Sequence, residues 1–200
     1  MNIYIASNNK GKIREIANCF KNTNIYSQAD IEKLLNIKID IIENGKTFEE
    51  NAKLKVTYLK KLLENILKDD DIIIADDSGI IIPTLPNVLG VHTKRQMLKW
   101  CEENKNDKET DYYNYISSIT PTPKICIFEC VIAVISNSKI KTYKGVLEGI
   151  LANSCRGNNG FGFDPIFEYN SKTLAEMSNE EKEIINPRIK AINLMKNDLL

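Results

Sequence analysis

Two hundred residues suit one domain, or one domain with a small lobe, and are ample for a real core. Apolar residues at 42% and charged residues at 27% are ordinary for a soluble globular chain, and Lys+Arg and Asp+Glu, both 27, leave a net charge of zero, which argues against an extended nucleic-acid or membrane surface. No apolar run approaches the roughly 20 residues needed to span a bilayer, and Met1–Ser7 is too short an apolar run for a signal peptide and lacks its charged leader.

In chain order, Ile3-Tyr4-Ile5-Ala6 reads as a first strand. It runs straight into Ser7-Asn8-Asn9-Lys10-Gly11-Lys12, after which Ile13, Ile16, Ala17 and Phe20 recur at helical spacing. A strand, a small polar loop and a helix start form an anion-binding arrangement, with free backbone N–H groups, a helix dipole and two lysines. It is not a Walker A loop, because the GxxxxGK[ST] spacing is absent. Glu43-Asn44-Gly45 is a turn carrying a carboxylate. Thr47 and Glu50 make a capping box for a long helix whose apolar stripe is Phe48, Ala52, Val56, Leu59, Leu63 and Ile66. Asn51 and Lys55 share its polar face.

Ile72-Ile73-Ile74 reads as a fully buried strand, ending in Ala75-Asp76-Asp77-Ser78-Gly79. Carboxylates at the carboxyl end of such a strand face the mouth where open α/β sheets bind ligands. Two adjacent negative charges call for a cation or a base nearby. Turn chemistry is the equal alternative for these residues. Ile80-Ile81-Ile82-Pro83 reads as a second short strand. A helix is predicted around Gln96–Cys101, an exposed loop over residues 102–111, and a helix through Tyr112–Ile119. His92 is the only histidine, so no histidine triad or His-rich zinc site is possible.

Ile125–Ile135 and Ile140–Leu147 are β-rich runs joined by Ser136-Asn137-Ser138-Lys139 as a hairpin. Cys126 and Cys130, four apart on one strand face, read as buried free thiols. With Cys19, Cys101 and Cys155 they make five and show no C-x-x-C, which fits a reduced, cytoplasmic protein. In Arg156-Gly157-Asn158-Asn159-Gly160-Phe161-Gly162-Phe163-Asp164-Pro165, glycines around two phenylalanines and an aspartate suit a flat ring; a flexible loop pinned by two core aromatics is the alternative. Ser178 and Glu181 form a further capping box, with Lys182 beside it. Asn186-Pro187 opens the last helix, which carries Arg188 in its first turn and Ile192, Met195 and Leu199 on one side. No linker separates two independent domains.

Five of these segments, in this order, resemble the inosine triphosphate pyrophosphatase (Ham1/RdgB-like) family: Ser7–Lys12, Glu43–Ala52, Ala75–Gly79, Gly160–Pro165 and Thr173–Lys182. The resemblance covers almost the whole chain. It implies an α/β fold with an elongated central mixed sheet flanked by helices, two lobes around a nucleotide cleft, a single such domain over residues 1–200, and a homodimer. It also implies hydrolysis of ITP, dITP and XTP to the monophosphate and pyrophosphate, with Mg²⁺.

By the same resemblance, Glu43, Asp76 and Asp77 are the metal ligands and Asp77 activates the attacking water. Ser7, Asn8, Asn9, Lys10, Gly11, Lys12, Asn51, Lys55 and Ser78 bind the substrate, with Lys10, Lys12 and Lys55 on its phosphates. Phe161, Gly162, Phe163, Asp164, Lys182 and Arg188 form the base pocket. A triphosphate carries about four negative charges, which a hard divalent cation and several lysines would offset. Two positions depart from the family pattern. Asn186-Pro187-Arg188 stands for its Ser-His-Arg, so an imidazole donor is missing. His92-Thr93-Lys94-Arg95 stands for its Tyr-Ser-Ala-Arg. A Maf-like nucleotide pyrophosphatase and a catalytically weak nucleotide-binding protein are the rival readings.

Overall fold

The computed structural model describes residues 1–137 and 139–199, so Ser138 of the expected Ser136–Lys139 hairpin lies outside the described residues. The first strand, β1 (Asn2–Ile5), buries Ile3, Tyr4 and Ile5 and leads through the polar loop into α1 (Lys10–Asn18). Two elements without a strong sequence signal follow: β2 (Asn24–Ser27) and α2 (Gln28–Leu35). Ser27 caps α2 with Asp30 in place of the usual Glu or Gln, each side chain bonding the other's backbone N–H. Helix α3 (Phe48–Leu63) starts at Thr47, whose hydroxyl accepts from the Glu50 N–H at 3.1 Å, while the Glu50 carboxylate reaches back one residue further, to Lys46 N–H at 2.6 Å. The stripe Phe48, Ala52, Val56, Leu59 and Leu63 is buried as expected; Ile66 lies beyond the helix end and is exposed.

The main correction concerns the carboxylates. Ile72 to Ile81 forms one continuous ten-residue strand, β3, rather than two strands separated by an Asp-Asp-Ser-Gly turn. Gly79 stays extended and is buried, because both faces of the strand are covered and the chain gains more by continuing its ladder than by turning. The helix around Gln96 is longer than predicted, α4 (Thr93–Asn104), and α5 (Glu109–Ile119) begins three residues early. Glu109 and Asp111 in its first turn favour the helix dipole, so only residues 105–108 remain of the predicted loop.

Strands β4 (Ile125–Ser136) and β5 (Lys139–Leu151) are followed by a two-residue hairpin joining β6 (Phe167–Tyr169) to β7 (Lys172–Thr173). Asn170 and Ser171 both take positive φ there, 50° and 66°, which gives a tight hairpin its twist. Helices α6 (Asn179–Ile185) and α7 (Pro187–Leu199) close the chain, α6 with the predicted Ser178–Glu181 capping box. The seven strands form one mixed sheet in the order β2-β1-β3-β4-β5-β6-β7, so the architecture is α/β. β1 runs parallel to β2 and β3, while β5–β6 and β6–β7 are antiparallel.

The chain divides into two compact units. Unit 1 takes Met1–Asp77, Cys130–Gly145 and the chain from Arg188 onward. Its core packs Ile3, Ile5, Ile72 and Ile74 with Ile132 and Val134 of β4, Ile16 of α1, and Ala191, Ile192 and Met195 of α7. Unit 2 takes Ser78–Glu129 and Val146–Pro187, and its core is richer in aromatics: Tyr112, Tyr113, Phe128 and Phe167 among Ile80, Ile82, Leu147 and Ile166. Truncating a fully buried isoleucine such as Ile74 to alanine costs about 2–5 kcal/mol.

Candidate active site

In unit 1 the register of β1 on β3 sets the geometry. Ile5 pairs with Ile74, and the Ala6 N–H bonds the Ile74 carbonyl at 2.9 Å, so the loop after β1 leaves the sheet beside Asp76. Ser7 and Asn9 shape that loop. The Asn9 N–H donates to Ser7 Oγ, and Asn9 Oδ1 accepts from the Gly11 and Lys12 N–H groups at 3.0 and 3.1 Å. Two of the backbone donors expected to be free for an anion are therefore satisfied by a side-chain cap. Asn8 and Lys10 are exposed, and Lys12 turns inward to pair with Asp76 Oδ1.

Asp76 is 1% exposed and surrounded by donors. Besides Lys12, Arg188 Nε donates to its Oδ2 at 3.0 Å and the Cys130 thiol donates to the same oxygen at 2.8 Å. Burial alone would raise this carboxyl, yet Arg188 and Lys12 hold it well below the usual carboxylate range. Burial pushes the Cys130 thiol far up, and the Asp76 charge adds to that, so Cys130 is a protonated donor. Arg188, itself 2% exposed, also pairs with Glu15 of α1. Arg188, which the family resemblance puts in the base pocket, meets two carboxylates of unit 1, Asp76 and Glu15. Arg188 lies in the first turn of α7, which begins at Pro187.

Asp77 faces a second set of partners. Lys55 Nζ lies 3.0 Å from its Oδ1, 2.8 Å from Glu43 Oε2 and 3.0 Å from the Asp76 carbonyl. Asn51 Nδ2 donates to Asp77 Oδ2 at 3.0 Å. Desolvation works against the Lys55 ammonium, but Asp77 and Glu43 raise its pKa overall. Burial pushes the Asp77 carboxyl up despite the pull of Lys55 and Lys12, the direction a proton acceptor near neutral pH requires. Among the described residues, no three His, Cys, Asp or Glu side chains are arranged as a metal site. Asp76 is matched by Lys12 and Arg188, whereas Glu43 and Asp77 share Lys55. That pair does converge, two carboxylate oxygens meeting around one nitrogen. Such a donor set fits a hard divalent cation, which needs only one or two protein carboxylates when substrate phosphates supply further oxygens.

Unit 2 holds the glycine-rich loop and Lys182. Asp164 Oδ2 accepts from the Phe161 N–H at 3.1 Å and from Lys182 Nζ at 3.2 Å. Gly160 sits at φ +103°, and a Cβ there would meet Asp164 Oδ2 at 1.7 Å, so only glycine admits this closure. Phe163 is a core anchor, with ring centroids 5.6 Å from Tyr113 and 5.9 Å from Phe128. Phe161 is half-buried, and Gly162, at φ +60°, has open space where a Cβ would be. Ser78, half-buried, is the residue of β3 that follows Asp77.

Sequence reasoning did not single out Cys130 and Glu15 for the site. Cys130 carried a signal, since strand alternation with Cys126 marked it as inward. Glu15 carried only its position three residues after Lys12, one helical turn along α1.

Residues 3–198 match the Ham1 family. A dITP/XTP pyrophosphatase of Thermoanaerobacter pseudethanolicus is 38% identical over 204 residues, covering 100% of this chain and 97% of that protein. A dITP/XTP pyrophosphatase of Staphylococcus epidermidis is 38% identical over 198 residues, covering 97% and 94%. Among solved structures, the Ham1 protein of Staphylococcus aureus superimposes with a TM-score of 0.73 at 30% identity, covering 100% of this chain and 98% of that one. A HAM1 protein from Coxiella burnetii gives 0.78 at 28% identity with the same coverage.

Proposed function

Because the chain belongs to the Ham1 family, we propose that it hydrolyses the non-standard purine nucleoside triphosphates ITP, dITP and XTP to the monophosphate and pyrophosphate, removing them from the nucleotide pool. The relatives at 33–38% identity over nearly their full length carry the name dITP/XTP pyrophosphatase, which supports this substrate class. The observation that carries the chemistry is the Lys55 ammonium held between Asp77 Oδ1 and Glu43 Oε2. It puts a buried proton acceptor next to a cation able to meet a phosphate, which phosphoryl-transfer sites need in one place.

In this reading Asp77 takes the proton of the attacking water, and Lys10, Lys12 and Lys55 offset phosphate charge with help from Ser7, Asn8, Asn9, Gly11 and Ser78. Glu43 and Asp77 would hold Mg²⁺, with Asp76 behind them; when bound, the ion neutralises triphosphate charge and polarises its oxygens. Phe161, Gly162 and Asp164 would frame the base, Phe163 anchoring the loop. Lys182 would donate to a 6-oxo group, where adenine presents an amine. Leaving a buried donor unpaired costs about 1–3 kcal/mol, so this contact gives a preference on the order of 10–10². Homodimerisation belongs to the reading through the family resemblance and is checked by sedimentation.

The test is a panel of ITP, dITP, XTP, GTP and ATP with Mg²⁺ and with EDTA, identifying the product. Pyrophosphate as the initial product, from the first three substrates in preference to ATP and only with the metal, supports the reading. Orthophosphate as the initial product would refute the reaction class. Tight nucleotide binding without turnover would favour the rival binding protein.

A further inference from the structure

Asn51, which the family resemblance places on the substrate, is 1% exposed and sits in the first turn of α3. Its side chain is not aimed outward. Oδ1 accepts from the Gly45 N–H at 2.8 Å, and Nδ2 donates to Asp77 Oδ2 at 3.0 Å. The two partners fix the amide's orientation, since a backbone N–H can meet only the oxygen and a carboxylate only the nitrogen. Lys55 occupies the other Asp77 oxygen. One primary amide thus ties the backbone two residues after Glu43 to the carboxylate that takes the proton. The fit at Gly45 is close: a Cβ there would come within 2.6 Å of Asn51 Oδ1 and 2.8 Å of Glu50 Cβ.

Resting on the hydrolytic reading of Asp77, we propose that Asn51 is a positioning residue and not a substrate contact. It sets the rotamer of Asp77 and couples the segment carrying Glu43 to it. A neutral amide suits the task. It orients the carboxylate with a hydrogen bond and adds no second positive charge beside Lys55. A buried group held at both ends loses little rotamer freedom and confines its partner to within a few tenths of an ångström, the tolerance reacting groups require.

Two variants and one exchange measurement test this. In Asn51→Ala, kcat for ITP falls about 10²-fold while KM stays within about threefold, because what is lost acts on the reacting group and not on ground-state binding. Asn51→Asp keeps the acceptor for Gly45 but replaces the donor with a carboxylate facing Asp77, and shows at least as large a fall. Thermal melts confirm that both variants are folded. A rise in KM with kcat retained, or full kcat in Asn51→Asp, would overturn the proposal. Independently of activity, hydrogen exchange at the Gly45 amide should speed about tenfold in Asp77→Ala, since the amide loses its second anchor. Unchanged exchange there would show that Asn51 holds Gly45 alone and would also overturn it. An unaltered enzyme that releases no pyrophosphate fails the hydrolytic reading itself, while the exchange result still decides whether the relay exists.

Discussion

The polar groups of the two units are held in place by different physics. In unit 1, Asp76, Asp77 and Glu43 are matched by Lys12, Lys55 and Arg188, drawn from α1, α3 and α7, and the arrangement stands on charge compensation in a buried setting. In unit 2, Asp164 pairs with Lys182 and Arg156 pairs with Glu168 and Glu176 at the less buried edge of the loop, whose tip is held by glycine geometry at Gly160 and by the Phe163 ring among Tyr113 and Phe128. A compensated cluster is brittle: removing one charge strands its partner in a low-dielectric interior. A loop held by shape fails differently, by losing its conformation while the core around it survives.

The largest effect expected falls on turnover. Asp77→Asn keeps the shape and the donor from Asn51 but cannot take a proton, so kcat for ITP should drop roughly 10²–10⁴-fold with the fold intact. Steady-state kinetics with a circular-dichroism control measures it. More than half the normal kcat would remove Asp77 from its role and, with it, the functional side of the contrast.

Next comes Arg188→Ala. It takes from Asp76 and Glu15 the guanidinium they share, stranding buried negative charge at a loss of about 3–5 kcal/mol. For a chain of this size that is a fall in Tm of roughly 6–20 °C. The ITP/ATP ratio of the surviving folded fraction should stay constant, because the guanidinium is committed to carboxylates. A stable variant with a collapsed ratio would return Arg188 to base reading.

Gly160→Ala tests the other unit. A methyl group there displaces the Asp164 carboxylate and imposes a side chain on φ +103°, at a cost of about 1–3 kcal/mol. The expected signature is a rise in KM for ITP with a modest change in Tm, the reverse of Arg188→Ala. A variant with both values unchanged would show that the loop does not depend on this glycine.

How much of this was legible beforehand follows the same division. The buried strands and capped helices showed through periodicity and caps: Ile72–Ile74, the α3 stripe as far as Leu63 and the Ser178–Glu181 box all stand where the pattern put them. The extent of β3 did not. Asp-Asp-Ser-Gly has the composition of a turn, and only long-range pairing in the sheet overrides that local preference. The β6–β7 hairpin was hidden for a related reason, since Asn170-Ser171 lacks the glycine that usually marks two positive-φ positions. At the site, the residue types were readable but their partners were not. That Arg188 meets Asp76, 112 positions away, is a fact of topology that no local spacing encodes.

The smallest expected effect is a dependence of stability on pH. In unit 1 the Asp76 carboxyl is held below its ordinary value of about 3.9, so its contribution is present above that pH and drains away as pH falls toward the folded-state value. Buried thiols and phenols shift the other way in both units, Cys130 in unit 1 among them. Burial pushes Cys126 up to about 12 and Tyr112 up to about 12, both acids whose neutral form the core prefers. The unfolded chain loses the Cys126 proton near pH 8.5 while the folded chain keeps it. Stability is therefore complete below about pH 8.5 and declines as pH rises toward the folded value, by about 2 kcal/mol over the first 1.5 pH units. That corresponds to a Tm lower by roughly 4–8 °C at pH 10 than at pH 8.5. Cys126→Ala removes the titrating group, so its Tm, though lower throughout, should fall much less over the same interval. Parallel declines in the variant and the unaltered chain would place the alkaline sensitivity elsewhere, with Tyr112 the next residue to replace, by phenylalanine.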